Sequence, residues 1–412
     1  MFRLRKKNFN LKGRFMERES TLSKYLSERA VNVKGSPTLL LDAKAKRLKA
    51  EGRDIIFFTA GEPDFDTPIN IKEAGIKAIR EGFTKYCPVD GTPSLKKAVS
   101  DRFERDFGLK YSPEEILVSP GAKMGIFEAL FSLLNKGDET IVISPYWVSY
   151  PDMVKLASGV PKIVNTTEEM NFVPKPEDIE KNITSKTKVL ILNYPSNPTG
   201  AVYPRKVLND IADIVISKDI FVISDEIYAN IVFEEEFVSF PSIRKELKNR
   251  TILISGVSKT YSMTGWRIGV ALGPKEIITP MKNIQSQTTS NPTSISLKAA
   301  EEAFSGSQSS VLEMVSTFRR RRDLIYNLLS KIRGVTCFKP KGAFYIFPNV
   351  SRYGKSRDIC EYLLDKDVAA VPGVDFGSEG YIRLSFATSD ENIIEGIKRI
   401  EKALTELDNL KK

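Results

Sequence analysis

The chain has 412 residues, of which 41% are hydrophobic and 28% charged, and it carries a net charge of +10. That is length for two domains with real cores and the composition of a soluble globular protein, and no apolar run is long enough to span a bilayer. Histidine is absent, which excludes Ser-His-Asp and Cys-His hydrolase mechanisms and most metal sites built on imidazole. A base working near neutral pH must then be Lys, Asp, Glu, Tyr or Cys. Cys87, Cys337 and Cys360 show no paired spacing. They indicate neither a disulfide framework nor a zinc site, and they fit a reducing cytoplasm.

Residues 1–15 hold Arg3, Arg5, Lys6, Lys7, Lys12 and Arg14 and no acid. They are read as a disordered extension, or as sequence ahead of a start at Met16, rather than as a targeting or nucleic-acid-binding arm; serines are lacking and a helical apolar face is weak. From about residue 52 to 305, strand-like and helix-like segments alternate. Residues 54–59 read as a strand, and 70–81 and 94–107 as helices. Residues 116–119 form a short strand running into Gly121, then a helix with Ile126, Leu130, Leu133 and Leu134 as its apolar positions. Segments 140–144, 162–164, 188–193, 220–224 and 251–255 read as strands, with a helix at 207–216. Several are near-continuous Val, Ile, Leu and Phe, which suits a mostly parallel sheet covered on both faces, an open α/β domain.

After residue 305 the pattern changes. A long charged helix at 310–332 contains Arg319-Arg320-Arg321-Arg322, read as a solvated face. Short strands are expected at 335–338, 343–347, 369–371 and 382–386, and helices at 357–364 and 391–407. The expected organisation is a basic extension (1–15), a segment joining the small domain (16–60), a large α/β domain (61–305) and a smaller α+β domain (306–412).

The chemistry concentrates at strand ends. Lys259 follows the apolar run Thr251-Ile252-Leu253-Ile254 and enters a Gly/Ser/Thr-rich turn, with Arg267 eight residues on. A lysine placed so suits an amine inside a pocket, able to shift its pKa and to form a Schiff base with a carbonyl. The arginine suits an anion such as a phosphate. Asp225 ends Phe221-Val222-Ile223-Ser224-Asp225, and Asn197 lies just after the apolar 189–192. In an open α/β sheet, ligands bind beyond the carboxyl ends of the strands.

These motifs, in order over residues 30–410, resemble the class I aminotransferases of fold type I, which use pyridoxal 5'-phosphate, and are most similar to the bacterial and archaeal aspartate aminotransferase branch. The resemblance implies that Lys259 tethers the cofactor aldehyde and then shuttles a proton. It implies that Asp225 faces the pyridine nitrogen, that Tyr228 and Asn197 contact the ring oxygen, and that Trp147 stacks on the ring. Arg267, Ser258 and the Gly121-Ala122-Lys123 helix start would hold the phosphate. Tyr86 would reach the phosphate of a neighbouring subunit's cofactor, making the protein a homodimer with composite sites. Ser144-Pro145 and Asn197-Pro198 are candidate cis bonds.

For the substrate, the resemblance implies that Arg383 grips the α-carboxylate, that the Gly61 loop closes over it and that Phe344 walls the pocket. Other branches take an arginine from the partner for a distal carboxylate; the matching stretch here, Gln285-Ser286-Gln287-Thr288-Thr289-Ser290-Asn291-Pro292, has none. Lys123, with Ser36 and Thr38 of Ser36-Pro37-Thr38, matches the alternative set. The implied reaction is aspartate with 2-oxoglutarate, by a ping-pong route and without a metal. Prephenate stays open as a substrate; β-elimination, decarboxylation, or a transaminase for aromatic or alanine-type substrates is a further reading, against which Lys123, Ser36 and Thr38 argue. A DNA-binding regulator built on this fold is disfavoured, since the residues ahead of the match show no helix-turn-helix.

Overall fold

A computed structural model describes residues 25–33, 35, 37–234 and 236–410, without the side chains of 32 and 37–40. The chain divides into two units, Met1–Lys34 and Gly35–Lys412. In the first, Ser27 caps helix Glu28–Asn32 by accepting a hydrogen bond from the Ala30 amide at 3.3 Å. The basic stretch 1–15 and Ser36 lie outside the described residues.

The second unit is organised by a seven-stranded sheet: β1 (Ile116–Ser119), β2 (Glu139–Ser144), β3 (Val160–Asn165), β4 (Thr187–Asn193), β5 (Phe221–Asp225), β6 (Thr251–Gly256) and β7 (Gly269–Leu272). Their spatial order is β1-β7-β6-β5-β4-β2-β3, and only β7 runs against its neighbours. The mostly parallel sheet is thus as expected.

The apolar runs have a direct cause in two-sided burial. Leu190, Leu192 and Val222 pack on one face with Leu208, Ile211 and Val215 of helix Arg205–Ser217. Their strand neighbours Val189, Ile191 and Ile223 pack on the other with Ile126 and Leu130 of helix Ala122–Leu133. Neighbouring strand residues point to opposite faces, so covering both faces leaves no polar alternation. Each fully buried aliphatic side chain contributes roughly 1.5–3 kcal/mol. Helix Pro93–Phe107 shows how local sequence sets the ends: Thr92 Oγ1 accepts from the Leu95 amide at 3.3 Å, Pro93 opens the helix, and Gly108 closes it at φ 67°.

A second core gathers helices Ser309–Leu329, Ser356–Asp365 and Asp390–Leu410 around a small antiparallel sheet of Val371–Pro372, Ile382–Ser385 and Tyr345–Ile346. Ile56–Phe57 pairs with Val368–Ala369, and the Ser385 amide donates to Phe58 O at 2.9 Å. These bonds bring Thr59 beside Arg383.

Three expectations are corrected. Residues 335–338 form no strand; Thr336 makes only an isolated bridge to Asn349. The arginine run is not uniformly solvated. Arg321 and Arg322 are 9% and 1% exposed, because the helical period puts them on the face of Phe318, Ile325 and Leu329. Ser144–Pro145 is cis, but among the described residues the other cis bond is Tyr194–Pro195 and not Asn197–Pro198. Among the described residues no helix is long and apolar enough to cross a membrane.

Candidate active site

The parallel register aligns three strand ends. Asn193 at the end of β4 stands opposite Asp225 at the end of β5, which stands opposite Ile254 of β6. The chain leaving β6 reaches Lys259 a few residues later. A cavity of about 560 Å³ opens beyond these ends, lined by Gly61, Ala122, Lys123, Trp147, Asn197, Asp225, Tyr228, Ser258, Lys259, Arg267 and Arg383. Eleven positions singled out in the sequence therefore meet in one space.

Asp225 is 4% exposed. Tyr150 Oη donates to its Oδ2 at 2.6 Å, the Ile227 amide donates to Oδ1 at 3.3 Å, and Asn193 Nδ2 donates to its backbone oxygen at 3.0 Å. Burial raises its pKa to about 6, against the Tyr150 hydroxyl, the Ile227 amide and Lys259, which favour the charged form. The Lys259 amine donates to the Gly61 carbonyl. Burial lowers its pKa to about 8; Glu62 opposes the shift, and Arg267 and Arg383 reinforce it. The pair thus combines a carboxylate and an amine that both titrate close to neutrality, the signature of proton-transfer sites.

An anion cradle lies at the other end. Helix Ala122–Leu133 starts at Gly121 with no side-chain cap and no acid in its first turn; the Gly121 amide donates to Ser119 O at 2.7 Å, which leaves the Ala122 and Lys123 amides for a ligand. Gly121 has φ 87°, and a Cβ there would come within 2.4 Å of Arg267 Nη2. Only glycine both adopts that backbone and lets the guanidinium close on the helix start. Arg267 is itself left-handed at φ 57° and donates to Thr264 O at 2.8 Å. A non-glycine residue held so costs on the order of 1–3 kcal/mol, strain that clusters at ligand sites. Ser258 is 7% exposed beside it.

Arg383 is 3% exposed, on strand Ile382–Ser385. It donates to Asn197 Oδ1 at 3.1 Å and Thr59 O at 2.8 Å, while its Nε is buried without a partner among the described residues. Its guanidinium lies 4.5 Å from the Tyr345 ring centroid and 5.2 Å from that of Phe376. A buried guanidinium with a donor to spare is built for a carboxylate. Lys123, at the exposed edge, sits 4.8 Å over Trp147; loss of solvent and then Arg267 draw its pKa down.

Other positions behave differently. Phe344 is fully buried and does not reach the cavity; it packs on Tyr228 and Phe318, and its neighbour Tyr345 lines the wall instead. Adjacent residues entering strand Tyr345–Ile346 face opposite ways, so only one of the two can face the ligand. Tyr345 Oη also bonds Tyr228 Oη at 2.9 Å. Tyr86 is 92% exposed and lines no part of the cavity. Thr38 lies in helix Pro37–Ala50, its side chain outside the described set, as Ser36 is. Sequence reasoning missed Tyr150 and Asn193. Asn193 was legible as a polar end to a buried strand; its Oδ1 also accepts from the Asn197 amide at 3.1 Å.

The profile of the family Aminotransferase class I and II matches residues 53–400. An aspartate/prephenate aminotransferase of Nitrosomonas europaea is 48% identical over 395 residues, covering 92% of this chain and 100% of that one. An aspartate aminotransferase of Bacillus sp. strain YM-2 is 45% identical over 389 residues, covering 92% and 99%. The solved aspartate aminotransferase of Thermus thermophilus with maleate superposes with a TM-score of 0.89 at 42% identity, covering 92% and 99%. Likeness on this scale, in sequence and in fold, places the chain in the class I and II aminotransferase family and makes it an aminotransferase.

Proposed function

We propose that the protein transfers the amino group of aspartate to 2-oxoglutarate, using pyridoxal 5'-phosphate, as a homodimer in the cytoplasm. One observation carries the reading. A single cavity holds an amine near pKa 8, a buried carboxylate near 6, an anion cradle, and a buried arginine with a free donor. The donor set fits the cofactor: Lys259 for its aldehyde, Asp225 for its ring nitrogen, Arg267 with Ser258 and the Gly121–Lys123 helix start, through the Ala122 and Lys123 amides, for its phosphate, and Trp147, Tyr228 and Asn197 for its ring. When bound, the cofactor supplies a ring that accepts the electron pair released as the substrate Cα–H bond breaks.

The chain's own groups do the rest. Arg383 exchanges its present partners for the α-carboxylate and fixes which Cα bond faces the ring. Lys259, as a neutral amine, would take the Cα proton and return it two atoms along, on the far side of the amino nitrogen. A pKa near 8 leaves a workable neutral fraction at physiological pH. Asp225, kept ionised, holds a proton on the ring nitrogen. Lys123, with Ser36 and Thr38, reads the distal carboxylate, and Gly61 closes over the site. The division of the chain at residues 61 and 306 is part of the same proposal; the core around Ile382–Ser385 is built mostly from residues after 306, with Ile227, Tyr228 and Ile231 joining it. Tyr86, so exposed in one chain, serves the partner's phosphate.

Prephenate is a second reading, favoured by the relative from Nitrosomonas europaea, named for both substrates. The test is a half-reaction screen. Aspartate and glutamate should convert the bound cofactor far faster than alanine or phenylalanine, and the reverse half-reaction should be run with oxaloacetate, 2-oxoglutarate and prephenate. Preference for alanine would overturn the dicarboxylate assignment, and inert prephenate would remove the second reading.

A further inference from the structure

Outside the cavity, one buried polar side chain ties together the segments that flank it. Gln285, on helix Lys275–Thr288, is fully buried. Its Nε2 donates to Val89 O at 2.6 Å and to Val118 O at 3.0 Å. Both acceptors are carbonyl oxygens, so the nitrogen end of the amide must face them. Its own backbone oxygen accepts from the amides of Thr289 and Ser290 at 3.0 and 2.9 Å.

Each segment it holds matters to the site. Val118 belongs to β1, three residues before Gly121 and the anion cradle. Val89 lies three residues after Tyr86. The two segments touch directly as well. The Val118 amide donates to Asp90 O at 3.2 Å, and a Cβ on Gly91 would come within 2.5 Å of Val118 Cγ2. The Asp90 carboxylate is held by the buried Lys96 and, at 3.1 Å, by Lys282, one turn before Gln285. One helix therefore sends an amide and an ammonium to the same short loop. A buried amide donating to two carbonyls is costly to remove, since both acceptors then lose a partner.

The loop so fastened presents its tyrosine to solvent at 92% exposure. The fastening ends three residues from that exposed tyrosine, a placement that suits an acceptor outside its own chain. We infer that Gln285, assisted by Lys282 through Asp90, is a positioning residue that fixes Tyr86 relative to the Gly121 turn, so that each chain's Tyr86 is placed for the cofactor phosphate of its partner. The inference rests on the proposed dimer with shared sites.

The test measures retention of pyridoxal 5'-phosphate, by titrating stripped protein with the cofactor, in Tyr86→Phe, Gln285→Leu and the double variant. Lys282→Met, at a half-exposed side chain, is run alongside should Gln285→Leu fail to fold. Tyr86→Phe should weaken binding about tenfold, Gln285→Leu by a similar factor, and Lys282→Met about threefold. In the Tyr86→Phe background neither second change should weaken it further, because the group being positioned is gone. Full additivity, or unchanged binding in both Gln285→Leu and Lys282→Met while Tyr86→Phe weakens it, overturns the inference and leaves the shared site standing. Unchanged binding in Tyr86→Phe, or a monomer by sedimentation of the loaded protein, overturns the shared-site reading itself and the inference with it.

Discussion

Tyr150 donates its hydroxyl to Asp225 Oδ2 at 2.6 Å, with both side chains buried. In a chain without histidine, a phenol supplies the neutral hydrogen bond that keeps this carboxyl charged. Burial raises the Asp225 pKa, and Tyr150 is the strongest group acting against it. Tyr150→Phe should therefore raise it further. A hydrogen bond to a charged group is worth about 1.5–3 kcal/mol, so in the stripped protein the Asp225 carboxyl should titrate about one pH unit or more higher, as read by its infrared carboxyl band. An unmoved titration would mean that Tyr150 only packs.

The same burial costs the apoprotein stability. An unfolded Asp ionises near 3.8 and the folded Asp225 near 6. Between those values the native state binds more protons than the unfolded state, so stability falls as pH rises through that window. About two pH units correspond to roughly 3 kcal/mol. Asp225→Asn keeps an acceptor for Tyr150 and removes the charge. Its apoprotein should melt several degrees above the parent at pH 8 and level with it near pH 4. A gain that persists at pH 4 would show a cause other than ionisation.

Lys259 responds to its neighbours in a defined order. After burial, the Glu62 carboxylate is the largest influence and raises the amine's pKa toward the ordinary value. Glu62→Gln should push it below about 8. Condensation with an aldehyde needs the neutral amine, so the rate of cofactor uptake by stripped protein should reach its half-maximum at lower pH in that variant. An upward shift would contradict the sign. Lys259→Ala should lose the lysine-dependent cofactor absorbance and nearly all turnover.

Lys123, over the Trp147 ring at the cavity edge, which Lys46 also lines, is the cation that the proposed function gives to a second carboxylate. Lys123→Ala should raise KM for aspartate and glutamate about 10- to 100-fold, as expected for one charge-assisted hydrogen bond. The effect on alanine should stay within about threefold. Equal losses for all three would assign Lys123 to the phosphate alone.

Much of this was legible because burial and chemistry left marks on the chain. Strands β4, β5 and β6 read clearly since both sheet faces are covered, and the polar residues that end or follow them stood out against apolar runs. What stayed hidden depends on contacts between distant segments. Strand β7 starts on a glycine two residues after Arg267, and its reversed direction leaves no local trace. Tyr150 reads as a core aromatic until Asp225, 75 positions away, is placed beside it. Phe344 and Tyr345 differ by one register step, and periodicity alone does not say which faces the ligand.

The arginine run shows the same limit, and its two faces should separate in measurement. Arg322 is 1% exposed; it donates to Glu234 Oε2 at 2.9 Å, Pro340 O at 2.8 Å and Asp323 Oδ1 at 2.9 Å, and lies 4.8 Å over Phe233. Arg319 and Arg320, earlier in the run, have side chains 54% and 59% exposed. Arg322→Met leaves the Pro340 carbonyl buried without its donor and Glu234 without its fork, costing about 2–4 kcal/mol. Arg319→Ala and Arg320→Ala each break only surface pairs and should change stability by about 1 kcal/mol or less. Denaturant midpoints of the three variants, compared at one cofactor concentration, decide the matter: a midpoint for Arg322→Met no lower than the other two would return the whole run to solvent.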